Sequence, residues 1–408
     1  MIAEEIVHSC YVSRNYFLMQ LIEVKTKEQE SEWIEFPVNH YKNDPLYIRP
    51  IDAEIEEVFD TDKNRSFSYD KSDAARWVLQ KDGKAIGRIA AFINGKTCDT
   101  EEQPTGGSGF FDCIDNQEAA NLLFDTAKHW LAERGMEAMD GPVNFGERDK
   151  NWGVLIDGFA EQNYGMLYNA PYYQKLYENY GFGLYFKQYT FGRVVDASKG
   201  IEPRFYQRAQ QALKNPDITF RYIKKKDFDK AARYFHEVYA KAWGGHKGVK
   251  PMTLKQAEKM FKKLKPIADE RLIYFGFYKG EPISFFLSIP ELNQLFKHVD
   301  GNMNWFGKLK FAYHMKMGHC KKMLGLVFGV VPEWHGKGVE SAMVVAYTDI
   351  AWNQGLPYKT IEMNWIGDFN PKMMKVCEQL GAEIWRTHAT YRYLFDREKP
   401  FERCPIIE

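Results

Sequence analysis

Between Leu324 and Gly355 the chain reads LGLVFGVVPEWHGKGVESAMVVAYTDIAWNQG, and its chemistry-bearing centre is His335-Gly336-Lys337-Gly338-Val339. The apolar run Leu324 to Val331 has the β-branched and aromatic content of a buried strand. Pro332, which has no N–H for a ladder, stops it. Val339, Met343, Ala346 and Ile350 then recur at helical spacing, and Gly355 stands where a C-terminal glycine belongs. A strand, a glycine loop and a helix N-terminus are therefore expected in succession. The first turn of a helix offers free N–H groups and a partial positive charge. Glycines let the backbone come close to a ligand, and Lys337 adds a point charge. This set suits a phosphate or pyrophosphate; a plain strand-to-helix turn is the alternative.

A second candidate region is the irregular stretch from Asn144 to Tyr173, which mixes aromatic, amide and charged residues. Asn144, Trp152 and Asn169 are its candidate substrate-binding residues, since loops of this composition often line pockets. A packed loop reads the same way. The six cysteines form no C-x-x-C pair, so no metal site is expected.

The wording Val330-Val331-Pro332-Glu333-Trp334-His335-Gly336-Lys337-Gly338-Val339 resembles the coenzyme A pyrophosphate loop of the GNAT acyltransferase superfamily. His335 stands where that family usually has Arg or Gln, and Glu340 where it has a small residue. Leu176-Tyr177-Glu178-Asn179-Tyr180-Gly181-Phe182 resembles the last helix of a GNAT domain, and so does the segment from Asn370 to Ala382. The loop preceding the helix in the first half, Asp115-Asn116-Gln117-Glu118, has no glycine and two acids, so that half resembles a GNAT domain without the ordinary cofactor loop.

The order of elements repeats. Each half runs strand, helix, two hairpin strands, strand, helix, strand, helix, closing strand, with Gly181 and Gly381 as matching glycines. Residues 1–18 fit no element and are expected as an extension. Residues 19–197 form a degenerate GNAT-like domain and residues 198–408 a second one with the loop. The expected fold class is α/β (α+β): two tandem GNAT-like acyl-CoA N-acyltransferase domains with mixed, mostly antiparallel sheets, distantly similar to the Fem aminoacyl transferases. Lys96 to Ser108, polar and glycine-rich, is expected as a mobile loop, and Asn304 to Met317 as a helix.

The resemblance implies a chemistry. Val330 and Val331 would bond the pantetheine arm of acetyl-CoA or another acyl-CoA, and the loop from Gly336 to Val339 would hold its pyrophosphate. A small-molecule or peptide amine would attack the thioester, with Glu362 as one candidate base and water as the other. Tyr177 stands where many members carry the tyrosine that protonates the leaving thiolate, and Cys377 takes that place in the second half. Asn364 and Asn370 are polar positions within a substrate's reach. Gly338→Asp is expected to remove coenzyme A binding and leave the fold intact. A non-catalytic acyl-CoA or metabolite binder and a Fem-like aminoacyl transferase stay open beside the acyltransferase.

The 408 residues balance 55 Lys+Arg against 55 Asp+Glu, which gives no electrostatic case for a nucleic-acid or membrane partner. No stretch reaches the ~18 to 20 apolar residues of a membrane span. With scattered thiols and no leader-like N-terminus, a cytoplasmic location is expected; the oligomeric state is left open.

Overall fold

The computed structural model describes residues 19–100, 103–146, 150–196, 198, 202–243, 252–353 and 355–407. The expected extension 1–18 and the turn at Gly244-Gly245-His246 lie outside the described residues. Two compact units emerge, and neither is one continuous stretch. The first contains the chain up to Gln188, Asp300–Asn302 and His388–Pro405; the second contains Tyr189–Val299, Met303–Thr387 and the chain from Ile406.

In the first unit, β1 (Met19–Glu23) leads to α1 (Lys27–His40) and α2 (Asp52–Phe59). Thr26 opens α1 with a reciprocal capping box with Gln29. β2 (Asp73–Lys81) and β3 (Lys84–Ile93) make the hairpin expected from Lys81-Asp82-Gly83-Lys84. Asp82 and Gly83 have φ of 52° and 72°, the left-handed pair that a two-residue turn needs. β4 (Thr105–Cys113), α3 (Gln117–Ala132) and β5 (Ala138–Gly141) follow, with β4 and β5 parallel across the helix. Ala120, Leu123, Ala127 and Trp130 of α3 face the core, as their spacing predicts.

The glycine-rich stretch expected as a mobile loop is in part β4. A Cβ at Gly106 would lie 2.3 Å from Leu131 and one at Gly107 2.2 Å from Phe92, so these glycines sit in the strand because neighbours press against it. β6 (Val154–Asp157) interrupts the irregular segment, and α4 (Tyr173–Tyr180) and β7 (Gly183–Val194) complete this part of the chain, with Tyr189–Val194 of β7 in the second unit.

The second unit begins with α5 (Pro203–Leu213), β8 (Ile218–Tyr222), α6 (Phe228–Trp243) and α7 (Leu254–Leu264). β9 (Ile273–Tyr278) and β10 (Glu281–Pro290) form the second hairpin, followed by α8 (Asn293–Phe296), α9 (Trp305–Lys316) and β11 (Lys322–Val330). α10 (Val339–Asn353), β12 (Thr360–Gly367), α11 (Pro371–Gln379) and β13 (Glu383–Leu394) close the chain. Strands run β7-β12-β11-β10-β9-β8, with β11 and β12 parallel across α10. Each unit thus repeats one scheme: an antiparallel run of four strands, then a parallel step over a helix. The architecture is mixed α/β and mostly antiparallel.

One strand departs from the expected partition at residue 197. β13 was expected to close the second half, yet its residues from His388 on belong to the first unit, where Tyr391 pairs with Gly141 and Leu394 with Ala138. Tyr391 and Tyr393 enter that unit's core. Arg392 forms a buried ion pair with Asp140, its Nε 2.6 Å from Oδ1, and lies 3.7 Å over the Tyr185 ring.

Candidate functional site

β11 ends at Val330, Pro332–Trp334 makes one 3₁₀ turn, and α10 starts at Val339. Val330 and Val331 are buried, and the Val331 N–H donates to the Ile283 carbonyl at 3.0 Å. His335 turns its Nε2 back to the Val330 carbonyl, 3.0 Å away, and so pins the loop to the strand it leaves. Lys337 is exposed, its ammonium 5.2 Å over the Trp334 ring. The first-turn N–H groups of α10 have no partner within the helix, and the helix dipole adds positive potential there. Glu340 in the same turn partly offsets that potential.

The two glycines differ. Gly336 has φ +73° with open space around it. Gly338 has φ +80°, and a Cβ there would lie 2.3 Å from the carbonyl oxygen of Arg208 on α5. Gly338→Asp therefore strains the backbone and collides with a helix, so the expectation that it leaves the fold intact is corrected.

Among the described residues, the parallel ladder between β11 and β12 runs from Lys322↔Thr360 to Gly325↔Met363. Both strands continue past it, to Val330 and Gly367. A pocket opens along this stretch, with about 990 Å³ of empty space counting its mouth. Val327 and Phe328 line it from one strand, and Met363 and Ile366 from the other. α10 contributes Tyr347 and Trp352; α11 contributes Met373 and Val376, and Leu380 follows at its end. Hydrocarbon, ring and thioether surfaces dominate the lining. Arg193 is its cation: the guanidinium donates to the Leu380 carbonyl and stands 5.8 Å over the Trp352 ring, and burial pushes its pKa down. Among the described residues, no carboxylate or imidazole lines this pocket.

Each expected catalytic residue takes a structural place. Glu362 on β12 is buried between Arg386 of β13, 2.9 Å away, and Lys322 of β11. Burial favours the protonated acid, but the hydrogen bonds and charges of Arg386 and Lys322 outweigh it and hold the pKa at about 2. The expected base is therefore a carboxylate already shared by two cations, which lowers its affinity for an amine's proton. Cys377 is fully buried on α11, lines the pocket, and has its thiol pushed up to about 12 by burial, so it stays a protonated thiol near neutral pH. Tyr177 lies in the core of the first unit among Phe111, Phe124, Phe182 and Tyr391, with ring centroids 4.8 to 5.5 Å away. Its hydroxyl is buried with no hydrogen-bond partner among the described residues, and burial raises its pKa well above the usual value.

The amides divide similarly. Asn370 caps α11 by accepting from the Met373 N–H at 3.2 Å. Asn169 is buried and exchanges both hydrogen bonds with the Leu155 backbone, at 2.8 and 3.0 Å, tying β6 to the following loop. Trp152 is buried with its ring centroid 6.1 Å from that of His388, and Asn144 is half-buried after the cis Gly141–Pro142 bond. The side chain of Asn364 lies outside the described residues. The structure thus brings the loop residues 335–339 together at the end of β11 and assigns packing or capping to Glu362, Cys377, Tyr177, Asn370 and Asn169.

Sequence reasoning missed Lys322, Arg386 and Arg193. Lys322 opens an otherwise apolar strand, and a cation there signals a buried acid nearby, whereas Arg386 stands in a strand of mixed polarity that gives no such signal. A further cluster joins His298, His314 and His319, whose ring nitrogens lie within 4.8 Å of one another. The His298 and His314 rings are parallel and 3.7 Å apart, so their in-plane lone pairs do not converge on one point. The Nδ1 atoms of His314 and His319 are 2.7 Å apart, a hydrogen bond. These rings stack and bond to each other rather than forming a coordination shell.

No family model matches this chain. A protein of Caulobacter vibrioides named "Bacterial ceramide synthase" is 25% identical over 91% of this chain and 97% of its own length. Protein YghO of Escherichia coli is 25% identical over 90% of this chain and 93% of its own. Among solved structures, a tandem GNAT protein from the clavulanic acid biosynthesis pathway superposes with a TM-score of 0.53 at 9% identity, covering 94% of this chain and all of that one. A GCN5-related glucosamine N-acetyltransferase region in a fungal multi-domain β-N-acetylglucosaminidase gives 0.54 at 11% identity, over 93% of this chain and 38% of that one. The fold is the GNAT fold. Among the described residues, no helix is long and apolar enough to cross a membrane.

Proposed function

We propose that the second unit is an acyl-coenzyme A-dependent N-acyltransferase that handles long hydrocarbon chains, and that its acceptor is the amine of a long-chain amino alcohol. One observation carries this reading. A pocket with an almost wholly apolar lining opens along β11 and β12, in the same unit as a loop suited to an anion. Such a lining offers a two-carbon acyl group little to bury, whereas a long chain gains roughly 0.8 kcal/mol for each methylene it buries. The name of the Caulobacter relative points the same way, since a ceramide is a long-chain amino alcohol acylated on nitrogen.

On this reading the first-turn N–H groups of α10 and Lys337 hold the pyrophosphate, and the backbone near Val330 and Val331 meets the pantetheine arm through groups other than the Val331 N–H and the Val330 carbonyl, which Ile283 and His335 already engage. The thioester supplies an activated acyl carbon. The amine nitrogen adds to it, the carbon–sulfur bond breaks, and the amine's proton leaves to solvent while the thiolate departs. Met363, Phe328, Trp352 and Val376 hold the chain and exclude water. The work is done where acyl-coenzyme A is made, in the cytoplasm. A second reading is favoured by the lack of a carboxylate or imidazole among the described lining residues: a binder of acyl-CoA that does not turn it over.

The test is incubation of the purified chain with sphinganine and either palmitoyl- or acetyl-coenzyme A, with amide formation followed by mass spectrometry. Formation of the long-chain amide, with kcat/KM for the palmitoyl donor reduced about tenfold or more by Val376→Trp, is expected. Saturable binding without turnover selects the second reading. Preference for the acetyl donor, or no binding of either, overturns both.

A further inference from the structure

Helix α9 is apolar on both sides. Gly307 and Phe311 are buried, yet Trp305 and Phe306 are 70% and 72% exposed, and Leu309, Tyr313 and Met317 are each at least half exposed. At 3.6 residues per turn these five side chains fall within roughly 120° of the helix circumference, opposite Gly307 and Phe311. Large apolar side chains concentrated on one exposed stripe mark a surface that works against something.

The charges around the stripe indicate what that is. Lys308 and Lys310 flank it on opposite sides, and Lys316 lies at its C-terminal end; all three are exposed. From Met303 to Lys321 there are four lysines and no Asp or Glu, in a chain whose charges balance at 55 to 55. Aromatic and apolar side chains on one face, edged by lysines, match the boundary between lipid headgroups and acyl chains. Trp and Tyr rings prefer that layer, and lysine stems extend along apolar surface while their ammonium groups meet lipid phosphates. A protein partner would use the aromatic residues too, but protein interfaces are depleted in lysine, whereas an anionic lipid surface uses both.

We propose that α9 docks this protein on the surface of an anionic lipid bilayer, lying in the headgroup layer without crossing it. The expectation of no membrane partner rested on net charge and on the lack of a spanning segment, and neither bears on a helix that lies flat. Docking stands on α9 itself, whatever the pocket holds. The chain also runs from α9 straight into β11, whose residues from Met323 to Phe328 line the pocket, so a docked α9 would set that strand beside a store of long-chain compounds.

The test is co-sedimentation of the full chain, without acyl-coenzyme A, with phosphatidylcholine vesicles containing or lacking phosphatidylglycerol. Binding to the anionic vesicles that weakens as salt is raised is expected. Lys308→Glu with Lys310→Glu should lower affinity by at least about 25-fold, roughly fivefold per lysine removed from the surface. Trp305→Ser with Phe306→Ser should also abolish sedimentation while leaving the circular dichroism spectrum and thermal midpoint unchanged, because both side chains are exposed. Equal binding by wild type and both variants, or none by wild type, overturns the proposal. So does a wild-type dimer in analytical ultracentrifugation that Trp305→Ser with Phe306→Ser dissociates, since the stripe would then belong to a second copy.

Discussion

Glu362 is held by two cations in a site closed to water, and its chemistry follows from that enclosure. Its folded pKa of about 2 is below the ordinary 4.5, so the ionised carboxylate favours the folded state. That contribution is fully present above pH 4.5 and is lost as pH falls toward 2; its size is on the order of 3 kcal/mol. Glu362→Gln leaves Lys322 and Arg386 without their shared carboxylate. It should lower stability by about 3–5 kcal/mol at pH 7, with a smaller deficit at pH 3, as read by urea unfolding. An unchanged urea midpoint with abolished turnover would return Glu362 to the role of base. Cys377 gives a second check at this scale. With its thiol pushed up to about 12 and fully buried, it should resist iodoacetamide at pH 8 in the folded protein, while the partly exposed Cys404 is alkylated first. Peptide mass spectrometry after quenching reads the order.

At the scale of elements, the loop before α10 shows why glycines of like appearance differ. Gly336→Ala carries only the left-handed backbone cost, about 1–2 kcal/mol. Gly338→Ala adds a collision with the Arg208 carbonyl and should cost about 2–5 kcal/mol. Thermal unfolding of the two variants separates them, and anion binding is best probed through Lys337→Ala, whose side chain touches no core. The same physics governs β4. Its glycines read as a loop because no local signal records that Leu131 and Phe92 press on that strand. The hairpin at Asp82-Gly83, the capping box at Thr26 and the periodic face of α3 were legible, because each depends on residues within a few positions of one another.

At the scale of the whole molecule, the first unit is completed by the far end of the sequence. A fragment ending at residue 197 lacks the pairing of β13 with β5 and the buried Arg392–Asp140 pair, and exposes the core that Tyr391 and Tyr393 cover. Such a fragment should show no cooperative thermal transition, whereas the intact chain should. A cooperative fragment would mean that the first half closes without β13.

The sequence by itself determined most of the order of strands and helices, the repeated scheme, the strand–loop–helix at residues 324–355 and the apolar faces, since propensity, capping, turn chemistry and periodicity are local; β6, α8 and the first residues of β4 were not among them. Only the tertiary structure decided that β13 belongs with β5, that Glu362 is spent between Lys322 and Arg386, that Cys377 and Tyr177 are enclosed, and that α9 turns aromatic rings outward. Each of these depends on which distant residues remove water from a group, and in one dimension a buried phenylalanine and an exposed one are written alike.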